Sequence, residues 1–446
     1  MSKLTGKVAT HITLGCKVNM YDTQAMLEIL ESYGVIIVDL SNSEAKQADI
    51  CIINTCTVTN SGDKKSRQAI RKAAKLNPNA IIVVCGCYAQ IDSERIRSID
   101  GVDIILGTNE RMKIAEFIEA YLEDAEQKNF VTDINTQNEF EDLNIRNASN
   151  KARAYIKIQE GCENFCAYCI IPYARGPIRS RDKNSILAEA TRLMESGVKE
   201  IVLAGINVGN YGKDRVDDGL NLPALIRELH EVPGIERIRL GSIEPDAVCD
   251  QFLEVLKDCS KLCEHLHVSL QSGADKTLAA MNRRSGTKEY REMVARLREI
   301  RPNIGITTDI IVGFPGESDD DFMDSYSFVK EMAFSKVHVF PYSSKVGTKA
   351  ATMRNQISQS VKNERARIMG ELAKNLCENF AKKFEHVPLS VLFEQEVGNN
   401  VFEGHSSNYI VVRKHSDTDL RNQVLDVVAV HDGEGALNCL KNLTKL

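Results

Sequence analysis

No stretch of this 446-residue sequence stays apolar for the roughly 18 positions that a membrane-crossing helix needs. The N-terminal MSKLTGK also lacks the apolar core of a secretory signal. Both absences argue against a membrane-spanning or exported protein, and a cytoplasmic location is expected. Positive charge is not in excess either: 56 Lys and Arg stand against 62 Asp and Glu, a net charge of −6. The totals do not mark a nucleic-acid binder, so any such partner has to meet local basic patches. A reducing compartment disfavours disulfides, and the 13 cysteines read as metal ligands and buried thiols. The 43% hydrophobic content is enough for two or three domains, each with its own core.

Three of those cysteines crowd into Gly161-Cys162-Glu163-Asn164-Phe165-Cys166-Ala167-Tyr168-Cys169, just after the strand-like run Arg153–Glu160. Cys-x3-Cys-x2-Cys on one short loop can hold three irons of a [4Fe–4S] cube and leave the fourth iron open to an outside ligand. No fourth Cys or His is near; His230 and Cys249 are the next candidates. A zinc site usually closes a set of four, often as Cys-x2-Cys pairs, and a disulfide framework fits an odd triplet poorly. Zinc and inert cysteines stay open as the other readings.

The first 122 residues alternate strand-like runs with amphipathic stretches. Strands are expected at Val8–Leu14, Val35–Leu40, Ile50–Asn54, Ala80–Val84 and Val102–Leu106. Helices are expected at Tyr21–Tyr33, Lys64–Leu76 and Met112–Leu122, the second stopped by Asn77-Pro78. This alternation predicts an open parallel α/β sheet with helices on both faces. Cys16, Cys56 and Cys87 fall at three strand ends, where such sheets bind ligands, so they could converge on a second cluster. Scattered core thiols are the alternative. Cys51 and Cys85 lie within strands and read as buried small apolar residues. Residues 123–150, acidic and without period, read as a linker.

From residue 151 to 384 the period becomes regular. Strands are expected at Tyr155–Gln159, Glu200–Ala204, Ile235–Leu240, His265–Leu270, Ile306–Val312 and Val337–Tyr342, with helices between them. Right-handed crossovers would curl this series into a partial (β/α)6 barrel, followed by a trailing helix at Ser358–Glu385. The strand ends carry Gly205-Ile206-Asn207, Gly241-Ser242, Gln271-Ser272-Gly273 and Gly313-Phe314-Pro315. Individually these read as ordinary turns; on the rim of the cluster loop they read as a binding site. Residues 385–446 turn to β-type composition, and a small all-β barrel is expected there.

Cysteine loop, barrel, three-cysteine N-terminal domain and small C-terminal β domain together resemble the radical-SAM methylthiotransferases, over nearly the whole chain. The resemblance implies that Cys162, Cys166 and Cys169 hold a catalytic [4Fe–4S] cluster with S-adenosylmethionine (SAM) on its open iron. Tyr168 would lie near the adenine. The pattern LGC…NTC…GC-x-AQ maps onto Cys16, Cys56 and Cys87, which in the family hold an auxiliary [4Fe–4S] cluster. By the same resemblance Gly205 and Asn207 meet the methionyl end of SAM, Ser242 and Gln271 the ribose, and Gly313 and Pro315 the adenine. The C-terminal module resembles a TRAM domain, a small RNA-binding barrel.

The implied chemistry is reductive cleavage of SAM, hydrogen abstraction at C2 of an adenine, and transfer of a methylthio group to that carbon. Thr13-Leu14-Gly15-Cys16-Lys17-Val18-Asn19 and Gly86-Cys87-Tyr88-Ala89-Gln90 are most similar to the branch acting on N6-threonylcarbamoyladenosine in tRNA. Other branches act on isopentenyladenosine in tRNA or on an aspartate of a ribosomal protein. Implied partners are a tRNA anticodon stem-loop, a flavodoxin- or ferredoxin-type electron donor and a sulfur source, with the chain a monomer and away from membranes. A zinc-dependent RNA-binding protein or an iron–sulfur electron carrier are the rival classes; the second leaves the barrel unexplained.

One feature departs from the pattern. From His386 onward eight acidic side chains face five Lys and Arg, so the TRAM-like module is mildly acidic. Phosphate contacts need basic side chains. The candidates are Lys64, Lys65, Arg67, Arg71, Lys72 and Lys75 on one helix, Arg283, Arg284 and Lys288 on another, and Arg175, Arg179 and Arg181. The last three follow the cluster loop directly and are the favoured tRNA contacts.

Overall fold

The computed structural model describes residues 2–39, 48–146, 152–433 and 435–439. Leu40, the end of the linker and the last residues of the C-terminal domain lie outside them. The chain divides into two compact units. One comprises Met1–Arg146, Gln159–Arg181 and Ser343–Ala351; the other comprises Asn147–Ile158, Asp182–Tyr342 and Thr352–Leu446.

In the first unit, β1 (Val8–Thr13), β2 (Ile36–Ile37), β3 (Ile50–Thr55), β4 (Ile81–Gly86), β5 (Ile104–Ile105) and β6 (Lys128–Asn129) form one parallel sheet. Its order is β2-β1-β3-β4-β5-β6. The central strands β3 and β4 are mostly apolar and buried along their whole length because both faces are covered. Ile50 and Ile52 pack with Met26 and Leu30 of helix α1 (Lys17–Ser32) on one face. Cys51 and Ile53 pack with Ile70 and Ala73 of helix α2 (Asn60–Leu76) on the other. As read from sequence, Cys51 and Cys85 are core residues; burial pushes their thiols up to about 11 and about 12. The stretch after residue 122 contributes β6 and buries Ile134, Leu143 and Ile145.

The second unit holds six parallel barrel strands at Arg153–Lys157, Glu200–Ala204, Arg237–Leu240, His265–Val268, Gly305–Val312 and Lys336–Pro341. The third breaks at Gly241 and resumes as Ser242–Ile243, which pairs with the fourth. A Cβ on Gly241 would lie 2.9 Å from the Leu203 carbonyl, so the break needs a residue without one. The first strand ends at Lys157, short of the expected Gln159. Gln159–Glu160 pairs instead with Arg179–Ser180, antiparallel, within the first unit.

After the long helix Gln359–Lys382 come six strands in one curled sheet, Leu389–Gly398, Val401–Ser406, Val411–His415, Gln423–Val427, Ala429–His431 and Leu437–Cys439. Among the described residues the end strands Gln423–Val427 and Ala429–His431 do not pair, so the sheet forms a half-barrel there. It is tied to the amino ends of the barrel strands. Arg237 donates to the His405 and Ser390 carbonyls at 3.0 and 2.7 Å, and Arg153 reaches Glu394 at 2.5 Å. Tyr409 stacks on His265 and His405, with ring centroids 4.5 and 4.6 Å apart.

Glu200 is the anion at the centre of this joint, accepting from Arg239 Nε at 2.7 Å. Burial raises its carboxyl, but Arg239, Arg153 and Arg237 more than offset that and hold it down to about 2. The folded value lies below the unfolded one. The stability it lends is therefore full above about pH 4.5 and is lost as pH falls toward 2. Glu200→Gln is expected to unfold at lower urea than wild type at pH 7, with the gap shrinking between pH 4.5 and 2. A gap independent of pH counts against this linkage.

Candidate active site

The three N-terminal cysteines sit at the carboxyl ends of neighbouring strands. Cys16 follows β1 and caps α1, Cys56 follows β3, and Cys87 follows β4 and opens helix α3 (Cys87–Ile91). Because β1, β3 and β4 are adjacent, residues about forty and thirty positions apart meet on one edge. Gly15 has φ +103, and a Cβ there would lie 3.0 Å from Cys56 Cβ and 3.1 Å from its sulfur. Only glycine lets these strand ends come so close. Asn19 ties them together, its Nδ2 donating to the Leu14 carbonyl at 2.7 Å and the Thr55 carbonyl at 3.0 Å.

Cys16 is exposed, Cys56 half-buried and Cys87 buried. Burial pushes Cys87 up to about 11, against Arg175 and with help from Cys16 and Cys56. Burial, and to a lesser degree Cys16, also raises Cys56. A soft metal cluster that takes up the sulfurs as thiolates therefore displaces protons. Arg175 Nε donates to Cys87 Sγ at 3.2 Å, the kind of outer contact that steadies a thiolate ligand. Three cysteines at neighbouring strand ends, with a cationic donor on Cys87, have the ligand chemistry of a [4Fe–4S] group.

The second triad lies in the same compact unit. Gly161 (φ +76) starts its loop at a point where a Cβ would lie 1.7 Å from the Pro177 carbonyl oxygen. Cys162 N donates to the Gly176 carbonyl at 3.1 Å, which closes the base of the loop. Cys169 N donates to the Cys166 carbonyl at 2.9 Å, so Tyr168 rides on a tight turn between two cysteines. Ala350 N donates to the Ala167 carbonyl at 2.7 Å and pins that turn. All three loop cysteines are partly exposed.

The arginines beyond the loop are not where a tRNA could touch them. Arg175, Arg179 and Arg181 are 0%, 1% and 0% exposed. Arg175 donates to Asp22 at 3.0 Å, to Asn19 Oδ1 at 2.5 Å and to Glu160. Arg179 donates to the Arg175 carbonyl at 2.9 Å, and Arg181 pairs with Asp142 at 2.6 Å. Arg111, also buried, shares Asp22 and Glu160 with Arg175 and adds Glu141 at 2.8 Å. This corrects the expectation that the three loop arginines bind phosphate. Their carboxylate partners come from distant parts of the chain. Arg283 is also engaged, by Glu244 and the Ser269 carbonyl.

Sequence reading missed Asn19, Asp22, Glu160 and Arg111. A signal existed on α1, where Asn19, Asp22 and Thr23 are polar yet buried on the face that ought to be apolar.

In the second unit, the rim residues follow successive barrel strands. Gly205 and Asn207 lie beyond Ala204, and Asn207 Oδ1 accepts from Gly209 N at 3.2 Å. Ser242 is in register with His267. Gln271 (φ +77) bridges to the fifth strand, its N–H donating to the Asp309 carbonyl at 2.9 Å. Gly313 N donates to Glu317 Oε1 at 2.8 Å, and Pro315 sits in the turn closed by Glu317 N on the Phe314 carbonyl. Strand register also gathers His267, Asp309 and His338, whose ligand atoms lie within 4.8 Å of one another.

Residues 7–107 match the uncharacterized protein family UPF0004, and residues 156–329 match the radical SAM superfamily. A threonylcarbamoyladenosine tRNA methylthiotransferase of Bacillus subtilis is 41% identical over 431 residues, 96% of this chain and 94% of that one. A tRNA-2-methylthio-N(6)-dimethylallyladenosine synthase of Clostridium tetani is 35% identical over 424 residues, 93% and 92% of the two chains. The fold resembles that of TsrM, a radical S-adenosylmethionine methyltransferase of Kitasatospora setae solved with cobalamin and a [4Fe–4S] cluster. The TM-score is 0.56 at 14% identity, over 76% of this chain and 75% of that one. Full-length identity at this level, with both cysteine triads in place, assigns the chain to the radical-SAM tRNA methylthiotransferase family.

Proposed function

We propose that this protein transfers a methylthio group to C2 of N6-threonylcarbamoyladenosine beside a tRNA anticodon. The observation that carries the reading is the pair of cysteine triads held in one compact unit. One triad alone would serve SAM cleavage; a second, on separate strand ends, serves a sulfur-transfer step. When bound, the two [4Fe–4S] clusters supply the electron that cleaves SAM and the site from which sulfur is delivered. The rest is the chain's work. Cys162, Cys166 and Cys169 would hold the cluster that binds and cleaves SAM. Cys16, Cys56 and Cys87 would hold the other cluster, with Arg175 bracing Cys87.

Tyr168, Gly205, Asn207, Ser242, Gln271, Gly313 and Pro315 are assigned to SAM, through backbone groups and short polar side chains at strand ends. The adenine C2–H is not acidic, so no general base is required, and positioning with exclusion of water is the main task. Among the described residues no helix is long and apolar enough to cross a membrane. We place the enzyme in the cytoplasm as a monomer, with its tRNA, a flavodoxin- or ferredoxin-type donor and a sulfur source.

The branch is tested with three tRNA preparations carrying threonylcarbamoyladenosine, isopentenyladenosine or plain adenosine, and with ribosomal protein as a fourth substrate. SAM, sulfide and reductant complete the mixture. Methylthiolated nucleoside is expected from the first tRNA only, by mass spectrometry of digests. Equal product on all three tRNAs overturns the branch, and product on ribosomal protein alone overturns the RNA reading.

A further inference from the structure

With the loop arginines buried, the phosphate contacts of a tRNA have to be made elsewhere. We infer that the exposed face of helix α2 is an RNA phosphate-binding surface, an inference that rests on tRNA being the substrate. Ser66, Ile70 and Ala73 form the buried side of α2, four and three residues apart. The opposite side carries Lys64, Lys65, Arg71, Lys72 and Lys75, spaced so that all five share one face. Each is exposed, and none forms an ion pair among the described residues.

The helix's own carboxylate does not neutralise the stripe. Asp63 accepts from Thr57 Oγ1 at 2.7 Å and pairs with Lys345, which is itself buried. The stripe therefore keeps its full positive charge, over about 16 Å from Lys64 to Lys75 at 1.5 Å per residue. The stripe gathers five such cations on one helix face of a chain whose net charge is −6. Its face is long, polar and cationic with no apolar centre, which suits a polyanion held by its backbone rather than a protein groove or a membrane. Position adds to charge. Helix α2 starts four residues after Cys56, so phosphates bound there flank the strand edge that carries the auxiliary cysteines.

The test is a triple substitution, Arg71→Gln, Lys72→Gln and Lys75→Gln, which keeps helix-forming side chains of similar length. Iron content and thermal melting, checked first, are expected to match wild type. Binding of tRNA carrying threonylcarbamoyladenosine is then titrated across a salt series. Affinity at low salt is expected to fall more than tenfold, and the salt slope to flatten by about two to three units. A companion Arg71→Lys variant, which keeps the charge, is expected to behave as wild type. An unchanged slope in the triple variant, alongside normal wild-type product formation, overturns the surface while leaving the substrate reading intact. Failure of wild type itself to modify any tRNA overturns the substrate reading instead. A variant that loses binding to an acidic protein but not to tRNA overturns the choice of partner.

Discussion

Changing Cys162, Cys166 and Cys169 together to alanine is expected to lower the iron of reconstituted protein from about eight to about four per chain. Formation of 5′-deoxyadenosine from SAM is expected to stop altogether. The effect is large because the loop offers no substitute: its turn is pinned at Cys166–Cys169, and the buried thiols of Cys51 and Cys85 sit within strands. The reciprocal change, Cys56→Ala, is expected to keep SAM cleavage and abolish the methylthiolated nucleoside. Cys56 belongs to the other triad and stands at the end of β3, so the loop keeps its own ligands. Two measurements separate the cases, iron by mass spectrometry and nucleosides by chromatography. Deoxyadenosine from the loop variant, or methylthiolated product from Cys56→Ala at the normal rate, contradicts the division of labour.

Arg175→Met is expected to be the most destabilising single change in the first unit, by about 3–5 kcal/mol, the usual effect of removing one partner from a buried ion pair. Asp22 and Glu160 would be left with Arg111 as their main cation, and Cys87 would lose its N–H donor. Urea unfolding of cluster-free protein measures the loss of stability. Reconstitution then gives a second readout: iron should fall toward four per chain, because the auxiliary site is the one deprived of a contact. Arg175→Lys restores the charge but not the forked geometry, so only partial recovery is expected. The salt slope of tRNA binding should not change, since a buried side chain touches no phosphate. A flatter slope with full stability would return Arg175 to the surface role that its sequence position implied.

What the sequence determined by itself was whatever rests on neighbours in the chain. Cys162, Cys166 and Cys169 share one loop, so their spacing could be read without any long-range contact. Cys16, Cys56 and Cys87 were legible because each ends an apolar run, and strand ends of a parallel sheet share an edge. The six barrel strands were legible in the same way, from period and length. Even there the boundaries moved: α1 begins at Lys17 rather than Tyr21, and Gln159 leaves the barrel to pair with Ser180.

What only the tertiary structure decided was which charges are used up inside. Arg175, Arg179 and Arg181 read as surface cations beside an active-site loop. Their partners, Asp22, Asp142 and Glu160, come from separate segments and become neighbours only after folding. The cations on α2 show the converse, since nothing in a run of Lys and Arg says whether carboxylates will fold against it. A charge is free or spent according to contacts made across the fold, and burial raises the strength of those contacts by excluding water. Local pattern therefore placed the two cysteine triads, while long-range packing decided which cations stay exposed.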